Sequence, residues 1–528
     1  MSRIFPPAQL ALILAVVLTG SAFAGTYYIA ANGSDSNNGT SKTTPWAHLP
    51  GMATWTGSHT PVAGDTFILR GCDVWSNANF SILWSWSGAT GNRIQIGGLD
   101  KTWYNSTNCP SGWNRPVFNA GNAVMNGTEC SGDSRGTNTN SFIYNTGAHN
   151  FWSWIELKGL YWASGCGGIA DTHAVAGDVI YDNLYVHKWS VNLSTAGDIS
   201  GFFTIPGGTG ACNSNAGAVN CTVQYLVQDN SDSPNGTNPN QRSGGGVMAM
   251  NTINSIFSYM TNAIKPYTNG EIGGNNISNV AGGFDGTNHP NCIETIQASG
   301  NNTYYFHDNW VHGNYSCQLF TIGNPGEIDY AWNNIFDCSG GGVGNNCPAL
   351  EQGSGDLHSL FFWNNTIFNA NGNYCMTLGS NNAYQKDFQV RNNHCITTNT
   401  GGVVFGLNSP SPDSGANAPV TDHNYIESAS QAASNGYTSS QPYNYSPTSA
   451  SSPTVGAGIN LTSSWPGAYS TNDTNYACTE QTVNGVVQSV CPARSSVSRP
   501  SSAAWDAGAY FFPVGTPNPP TGLAAVVQ

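Results

Sequence analysis

The sequence predicts an all-β solenoid, a parallel β-helix. An Asn-rich bend recurs at solenoid spacing, short β-prone segments lie between its copies, and the composition works against long helices. The bend is a short apolar strand, then Asn-Asn or Asp-Asn, then another apolar pair. Its copies are Tyr181-Asp182-Asn183-Leu184, Gly274-Asn275-Asn276-Ile277, His307-Asp308-Asn309-Trp310, Trp332-Asn333-Asn334-Ile335, Trp363-Asn364-Asn365-Thr366 and Arg391-Asn392-Asn393-His394, with a weaker Asp422-His423-Asn424-Tyr425. Counted on the second Asn from Asn276, the spacings are 33, 25, 31, 28 and 31 residues. A period in this range, with unequal insertions, is that of a solenoid. The 93 residues from Asn183 to Asn276 leave room for three more turns.

The segments between bends, such as Ser359-Leu360-Phe361-Phe362-Trp363 and Phe388-Gln389-Val390-Arg391, are β-prone and lack the Leu-rich or Ala-rich pattern of helical repeats. One turn cannot bury its inner face alone, but stacked turns place like residues over one another. One Asn of each pair then faces inward, its amide bonded to its equivalents above and below, a structural role. The 63 glycines, 27 prolines and six lysines starve the chain of helix-formers, while 16 Trp, 23 Tyr and 21 Phe are too many for a disordered one. Charged residues make up only 8%. A formal charge of −14 without a basic stripe excludes a nucleic-acid partner, and disfavours polyanionic sugars unless a cation or local basic cluster offsets it.

Residues 1–24 read as an export signal: Arg3, an apolar run from Leu10 to Leu18, and Ala22-Phe23-Ala24 before the expected cleavage. The run is too short to span a bilayer and no second one occurs, so the expected product is soluble, monomeric and secreted, extracellular or periplasmic. All 14 cysteines follow it, an even number suited to disulfides, and none forms Cys-x-x-Cys. Cys292, Cys317, Cys347 and Cys375 each begin a strand after the bend and its loop. Stacking then pairs Cys292 with Cys317 and Cys347 with Cys375, with Cys338–Cys347 as an open alternative. Residues 25–512 form one β-helix domain: about 25–140 the N-terminal cap and first turns, 141–427 regular coils, and 428–512 a loop-rich segment wrapping back under Cys478 and Cys491. Residues 513–528 read as a linker.

Three positions before the second Asn stand Phe306, Ala331, Phe362 and Val390, apolar and therefore inward. Their neighbours point outward: Tyr305 and His307, Tyr330 and Trp332, Phe361 and Trp363, Gln389 and Arg391. A stacked outward file of rings ending in Arg391 could lie along successive sugar rings; the alternative is a covering loop from the Ser-rich segment. The richest titratable cluster is Asp285-Gly286-Thr287-Asn288-His289-Pro290-Asn291-Cys292-Ile293-Glu294, followed by His307 and His312. Asp285, His289, Glu294 and His312 offer acid/base chemistry, and Asp285 with Glu294 part of a calcium site; a solvated turn is the plainer reading. Asp171-Thr172-His173 with Asp178, and Asp35-Ser36-Asn37-Asn38-Gly39, read as turns.

Thr26-Tyr27-Tyr28-Ile29-Ala30-Ala31-Asn32-Gly33-Ser34-Asp35-Ser36-Asn37-Asn38-Gly39-Thr40, Pro45-Trp46, Gly64-Asp65-Thr66-Phe67-Ile68-Leu69-Arg70-Gly71 and the closing Trp505-Asp506-Ala507-Gly508-Ala509-Tyr510 resemble secreted right-handed parallel β-helix proteins of the pectate-lyase-like superfamily. The resemblance covers most of 25–512. It implies a right-handed coil acting on a polysaccharide, with lyase chemistry on an acidic polymer first, a non-catalytic carbohydrate-binding or surface protein second and a glycoside hydrolase third. Lyases of this kind abstract the proton beside a uronate carboxylate with Lys, Arg or His, while calcium or basic groups hold the developing charge. On that pattern Lys265 is the candidate base, and Arg242 and Arg391 the carboxylate clamps. The chain departs from the superfamily in lacking the Asp-Asp, His-Gly and Arg-Ile-Lys set of polygalacturonases and the Arg-x-Pro-x-x-Arg of classical pectate lyases.

Overall fold

The Asn-Asn dipeptide turns the chain through a sharp corner in two residues. The first residue takes the left-handed conformation: φ is +57° at Asp308, +54° at Asn333 and Asn364, and +58° at Asn392. Short polar side chains tolerate this better than bulky ones, and Gly274 fills the same place at +68°. The second residue is a buried Asn whose amide bonds along the stack. Asn309 Nδ2 donates to Asn334 Oδ1 at 2.9 Å and to the Ile272 carbonyl at 2.8 Å, while its own Oδ1 accepts from Asn275 N and Nδ2. The same bonds continue through Asn365, Asn393 and Asn424. The bends therefore lie in line.

Two of the expected copies are one residue out of register. Asn276 pairs with Trp310, so Asn275 is the stacked residue. Asn183, at φ +51°, holds the left-handed position, and buried Leu184 occupies the stacked one. Leu226 stands at that position in the next turn and Ser255 in the one after, so the amide column begins only at Asn275.

Repeating the bend winds a right-handed parallel β-helix. The computed structural model describes residues 24–125, 141–162, 169–172, 177–191, 221–233, 246–247, 249–266, 269–281, 291–295, 302–313, 320–322, 326–338, 349–352, 358–369, 376–378, 385–398, 405–407, 420–441, 444–473, 477–492 and 496–512. The first sheet runs from Thr26–Ile29 to Val420–Asp422 and the second from Val74–Ser76 to Tyr425–Glu427, meeting at the bend. A third, interrupted sheet holds Ile82–Trp84, Ile143–Asn145, Ala170–Thr172, then Asn262–Ile264 with Asn291–Ile293, then Phe320–Ile322 to Phe405–Leu407. Phe306, Ala331, Phe362 and Val390 are at most 1% exposed, so the expected inward column holds. Cys72–Cys109 and Cys478–Cys491 are bridged. Cys292 and Cys338 are also disulfide-bonded, but Cys317, Cys347 and Cys375 lie outside the described residues, as do the leader through residue 23 and the tail 513–528.

The C-terminal segment returns along the bend. Ile459 exchanges hydrogen bonds with Asn392, Asn472 O accepts from Asn333, Cys478 N donates to Gly274 O, and Ser489 donates to Asn254 O. The hairpin Thr479–Val483/Val486–Val490, closed by Cys478–Cys491, reaches Arg115 through Val487 O and Asn114 through Gly485 O. The chain then doubles back, so that Arg499 meets Asn333 and Gly508 N reaches Asn392 O. Leu461, Trp465 and Trp505 seal the first sheet over Trp332 and Trp363, while Ala432, Tyr437 and Tyr445 cover the second over Ile335 and Ile396. Beneath Tyr469, His307 lies between Asp308 Oδ2 (2.6 Å) and Glu271 Oε1 (3.0 Å) and stacks on Trp332 at 4.9 Å. Burial alone would lower the His307 pKa, but the hydrogen bonds to Asp308 and Glu271 outweigh it and carry it up to about 9.

Three outcomes are expected. Asn334→Ala strips partners from the Asn309 and Asn365 amides and should lower unfolding free energy by about 3 kcal/mol in urea titration; a loss below ~0.5 kcal/mol would exclude the amide column as a stabilising element. Trp363→Ala should cost ~3–5 kcal/mol, the range for a buried Trp, and a thermal melt unchanged from wild type would show the ring to be free surface. His307 has a folded pKa above its unfolded one, so its contribution is complete below about pH 6.5 and fades as the pH rises through about 9. Thermal unfolding of wild type should thus lose more between pH 6.5 and 9 than that of His307→Gln; parallel curves would refute the charged network.

Candidate functional site

The expected outward file exists, and stacked register pairs Tyr305 with Tyr330 and Phe361, and His307 with Trp332, Trp363 and Arg391. Tyr305 and Tyr330 stack at 5.6 Å, Tyr330 and Phe361 at 4.7 Å. As a sugar platform the file needs correction. Trp332 and Trp363 are 2% and 1% exposed because Trp465, Trp505 and Tyr469 lie on them, and half-buried Tyr305, Tyr330 and Phe361 pack against the same cluster. Rings this costly to leave in water are covered by the chain's own C-terminal segment. His307 is committed to its two carboxylates. Arg391 is held bidentately by Asp422 at 2.6 and 2.8 Å, so its clamp geometry is already used.

The expected titratable cluster is divided between faces. His312 projects from the second sheet, bonded to Asn276 Oδ1 at 2.8 Å and stacked 3.5 Å from Trp310; burial pushes its pKa down to about 4, leaving a neutral ring. His312 therefore does not join Glu294. Asp285, His289 and Arg242 lie outside the described residues. In the smaller patches Asp178 is paired with Arg93 and His149, and Asp35 accepts from the backbones of Ala47, His48 and Thr56, while His173 and the side chains of Asp171 and Thr172 lie outside the described residues.

Lys265 and Glu294 do come together, on the third sheet. Asn262–Ile264 and Asn291–Ile293 run in parallel register, and each strand ends one residue before its charged side chain. Backbone bonds fix both: Lys265 N donates to Val247 O at 2.8 Å and Glu294 N to Ile264 O at 2.9 Å. Alternation places Ile264 and Ile293 in the core, so Lys265 Nζ meets Glu294 Oε2 at 3.1 Å above it. Asn291 Nδ2 donates to the same oxygen at 2.9 Å. The side chains retain 13% and 25% of their surface, enough for a ligand to reach. Among the described residues no C-terminal element packs on this sheet. A protonated Lys265 binds a carboxylate; a deprotonated one is a base. Of the expected calcium pair, Glu294 Oε2 accepts from the Lys265 ammonium and the Asn291 amide, and Asp285 lies outside the described residues.

Sequence reasoning missed two buried networks. Thr295, next to Glu294, donates to Glu327 Oε1 at 2.9 Å, and Glu327 and Asp329 lie inside the coil at 1% and 0% exposure. Burial, with Glu327 beside it, pushes the Asp329 pKa well above the usual carboxylate range. Its signal was available, since Asp329 shares the inward parity of Ala331. On the second sheet His187 bridges Glu156 and Asp232 at 3.1 and 2.8 Å; residues 31 and 45 positions apart give no sequence signal.

No family model and no curated protein matches this chain. Among solved structures it is similar to pectate lyase Pel9A, with 14% identity, 93% of this chain and 97% of that one covered, and a TM-score of 0.40. A GH136 lacto-N-biosidase from Eubacterium ramulus matches at 12% identity, 76% and 68% coverage and TM-score 0.33. A rhamnogalacturonan lyase matches at 13%, 76% and 87%, and 0.27. At such identities and TM-scores these likenesses carry no information about chemistry.

Proposed function

We propose that the chain is a secreted, polysaccharide-active β-helix protein working at the third sheet, as a lyase on an acidic polysaccharide. The observation that carries this reading is the Lys265–Glu294 pair, held at 3.1 Å on the face that the C-terminal segment leaves alone among the described residues. Sequence places Asp285 and His289 in the segment leading into the Asn291 strand. A substrate carboxylate competes with Glu294 for the Lys265 ammonium and is positioned over it, and turnover then requires that Lys265 lose its proton to solvent. The neutral amine takes the proton on the carbon bearing the carboxylate; the electron pair forms the carbon–carbon double bond, and the glycosidic oxygen on the next carbon leaves and is protonated from solvent. Two disulfides among the described residues suit an oxidising compartment, and no described helix is long and apolar enough to cross a membrane.

One observation favours a non-catalytic reading: an ion-paired lysine is held in the charged form, which binds but does not abstract. A single assay separates the two. Polygalacturonate, alginate and glycosaminoglycans are incubated with and without calcium, and both the absorbance of unsaturated ends and the reducing ends are read. A lyase raises both signals, a hydrolase only the second. Lys265→Ala should lower the lyase rate by at least about a hundredfold, and Glu294→Gln should lower it less. Unchanged turnover in Lys265→Ala would remove the proposed base, and silence on every substrate would leave a binding protein.

A further inference from the structure

Among the described residues Lys42, Arg70, Arg93, Lys158, Lys265 and Arg391 are each ion-paired with a carboxylate. Lys101 and Arg115 are not, and they lie together. The Lys101 ammonium sits 3.5 Å from the centre of the Trp154 ring and 5.4 Å from that of Trp113. The Arg115 guanidinium lies over the same Trp154 at 5.1 Å, and the two indoles meet edge to face at 5.9 Å. Arg115 is 1% exposed; its Nε donates to Asn183 O and its Nη1 to Val487 O, while Nη2 is buried with no acceptor. The Trp113 indole nitrogen also has none. The carboxylates whose charge reaches Lys101 and Arg115 hydrogen-bond elsewhere, Glu156 to Lys158 and His187, and Asp182 to Asn183 and Gln224. A buried guanidinium N–H left unbonded is costly, and an exposed ammonium beside it with indole rings on either side is the chemistry of a carboxylate carried on a sugar ring.

We propose that Lys101, Arg115, Trp113 and Trp154 form a second, non-catalytic binding site for a uronate residue of an acidic polysaccharide. Its ligand class rests on the reading of the chain as acting on such a polymer. Lys101 and Trp113 lie in the connection from Ile94–Gly97 to the second-sheet strand beginning at Val117, and Trp154 in the next bend, so the site occupies the corner between the first and second sheets. The third sheet with Lys265 lies across the coil. A polymer held here is retained by the protein without occupying the catalytic face.

The test is binding of α-1,4-trigalacturonate in the Lys265→Ala background, read by tryptophan indole NMR shifts and calorimetry, with galactotriose as the uncharged control. Trigalacturonate should shift the Trp113 and Trp154 indoles. Lys101→Gln should weaken binding about tenfold, the size of one charge-assisted hydrogen bond, and Trp154→Asn, which keeps a residue tolerant of φ +56°, should weaken it similarly. Because Lys101 is exposed, its variant should fold as wild type. Equal affinity in Lys101→Gln, equal binding of galactotriose, or no trigalacturonate binding at all would each overturn the site. Failure of the lyase reading shows separately, as absence of unsaturated product from a protein that still binds trigalacturonate through Lys101.

Discussion

The structure depends on satisfying backbone and amide groups at a corner too tight to admit water. Each rung turns from the first sheet to the second in two residues, the first twisted into left-handed space and the second buried. A peptide group turned inward there has no strand partner, so the Asn amide supplies one: its Nδ2 reaches the carbonyl of a neighbouring rung, as Asn334 reaches Phe306 O, and its Oδ1 takes the next backbone N–H. Because each amide also bonds the next, no rung can slip without breaking bonds in two others. Where the column gives way to Leu184 and Leu226, the corner lies nearer the disulfide-closed hairpin and the buried Arg115, whose bonds to Asn183 O and Val487 O tie hairpin to bend.

A corner sealed in this way cannot vary in length, so variation is displaced elsewhere. Successive stacked Asn residues are separated by 34, 25, 31, 28 and 31 residues, and the differences fall in the connections into and out of the third sheet. Those connections are where side chains can be added without disturbing the stack, which is why the Lys265–Glu294 pair emerges there. The same logic assigns the C-terminal segment. Having sealed the first two sheets over Trp332, Trp363, Ile335 and Ile396, it occupies the faces that otherwise offer apolar surface and leaves the variable one uncovered among the described residues.

What the sequence disclosed follows this division. The bend was legible because both its residues are constrained by type, and the inward column because parity from the bend is rigid. The register error at Asn276 arose where Gly274 replaced the first Asn, so that two adjacent asparagines no longer marked the same two positions. The outward rings were placed on the correct side, but a covering segment more than a hundred residues downstream has no period linking it to them. The pairing of Lys265 with Glu294 depended on strand register alone and was within reach. The division of His312 and His307 onto other faces followed equally from the bend, since each stands on a strand adjoining it. Arg115 and Lys101 escaped notice because nothing in their sequence neighbourhood announces that Trp154, a full rung later, lies between them.

The proposed activity leaves an electrostatic tension: a chain of net charge −14 would have to bind a polyanion. Net charge acts over distances at which salt already screens it, about 8 Å at physiological ionic strength, whereas a ligand in contact feels the groups within a few ångströms. In a protein where most described cations are neutralised in place, a cation without a carboxylate partner has a large local effect. Lys265 has Glu294 beside it, so a substrate carboxylate gains there only by exchange with an existing partner, which favours turnover over tight holding. Lys101 and Arg115 have no such partner to displace. A polyanion approaching an acidic surface would thus be held at the one corner and processed at the other face, with the repulsion between them opposing accumulation of product along the coil.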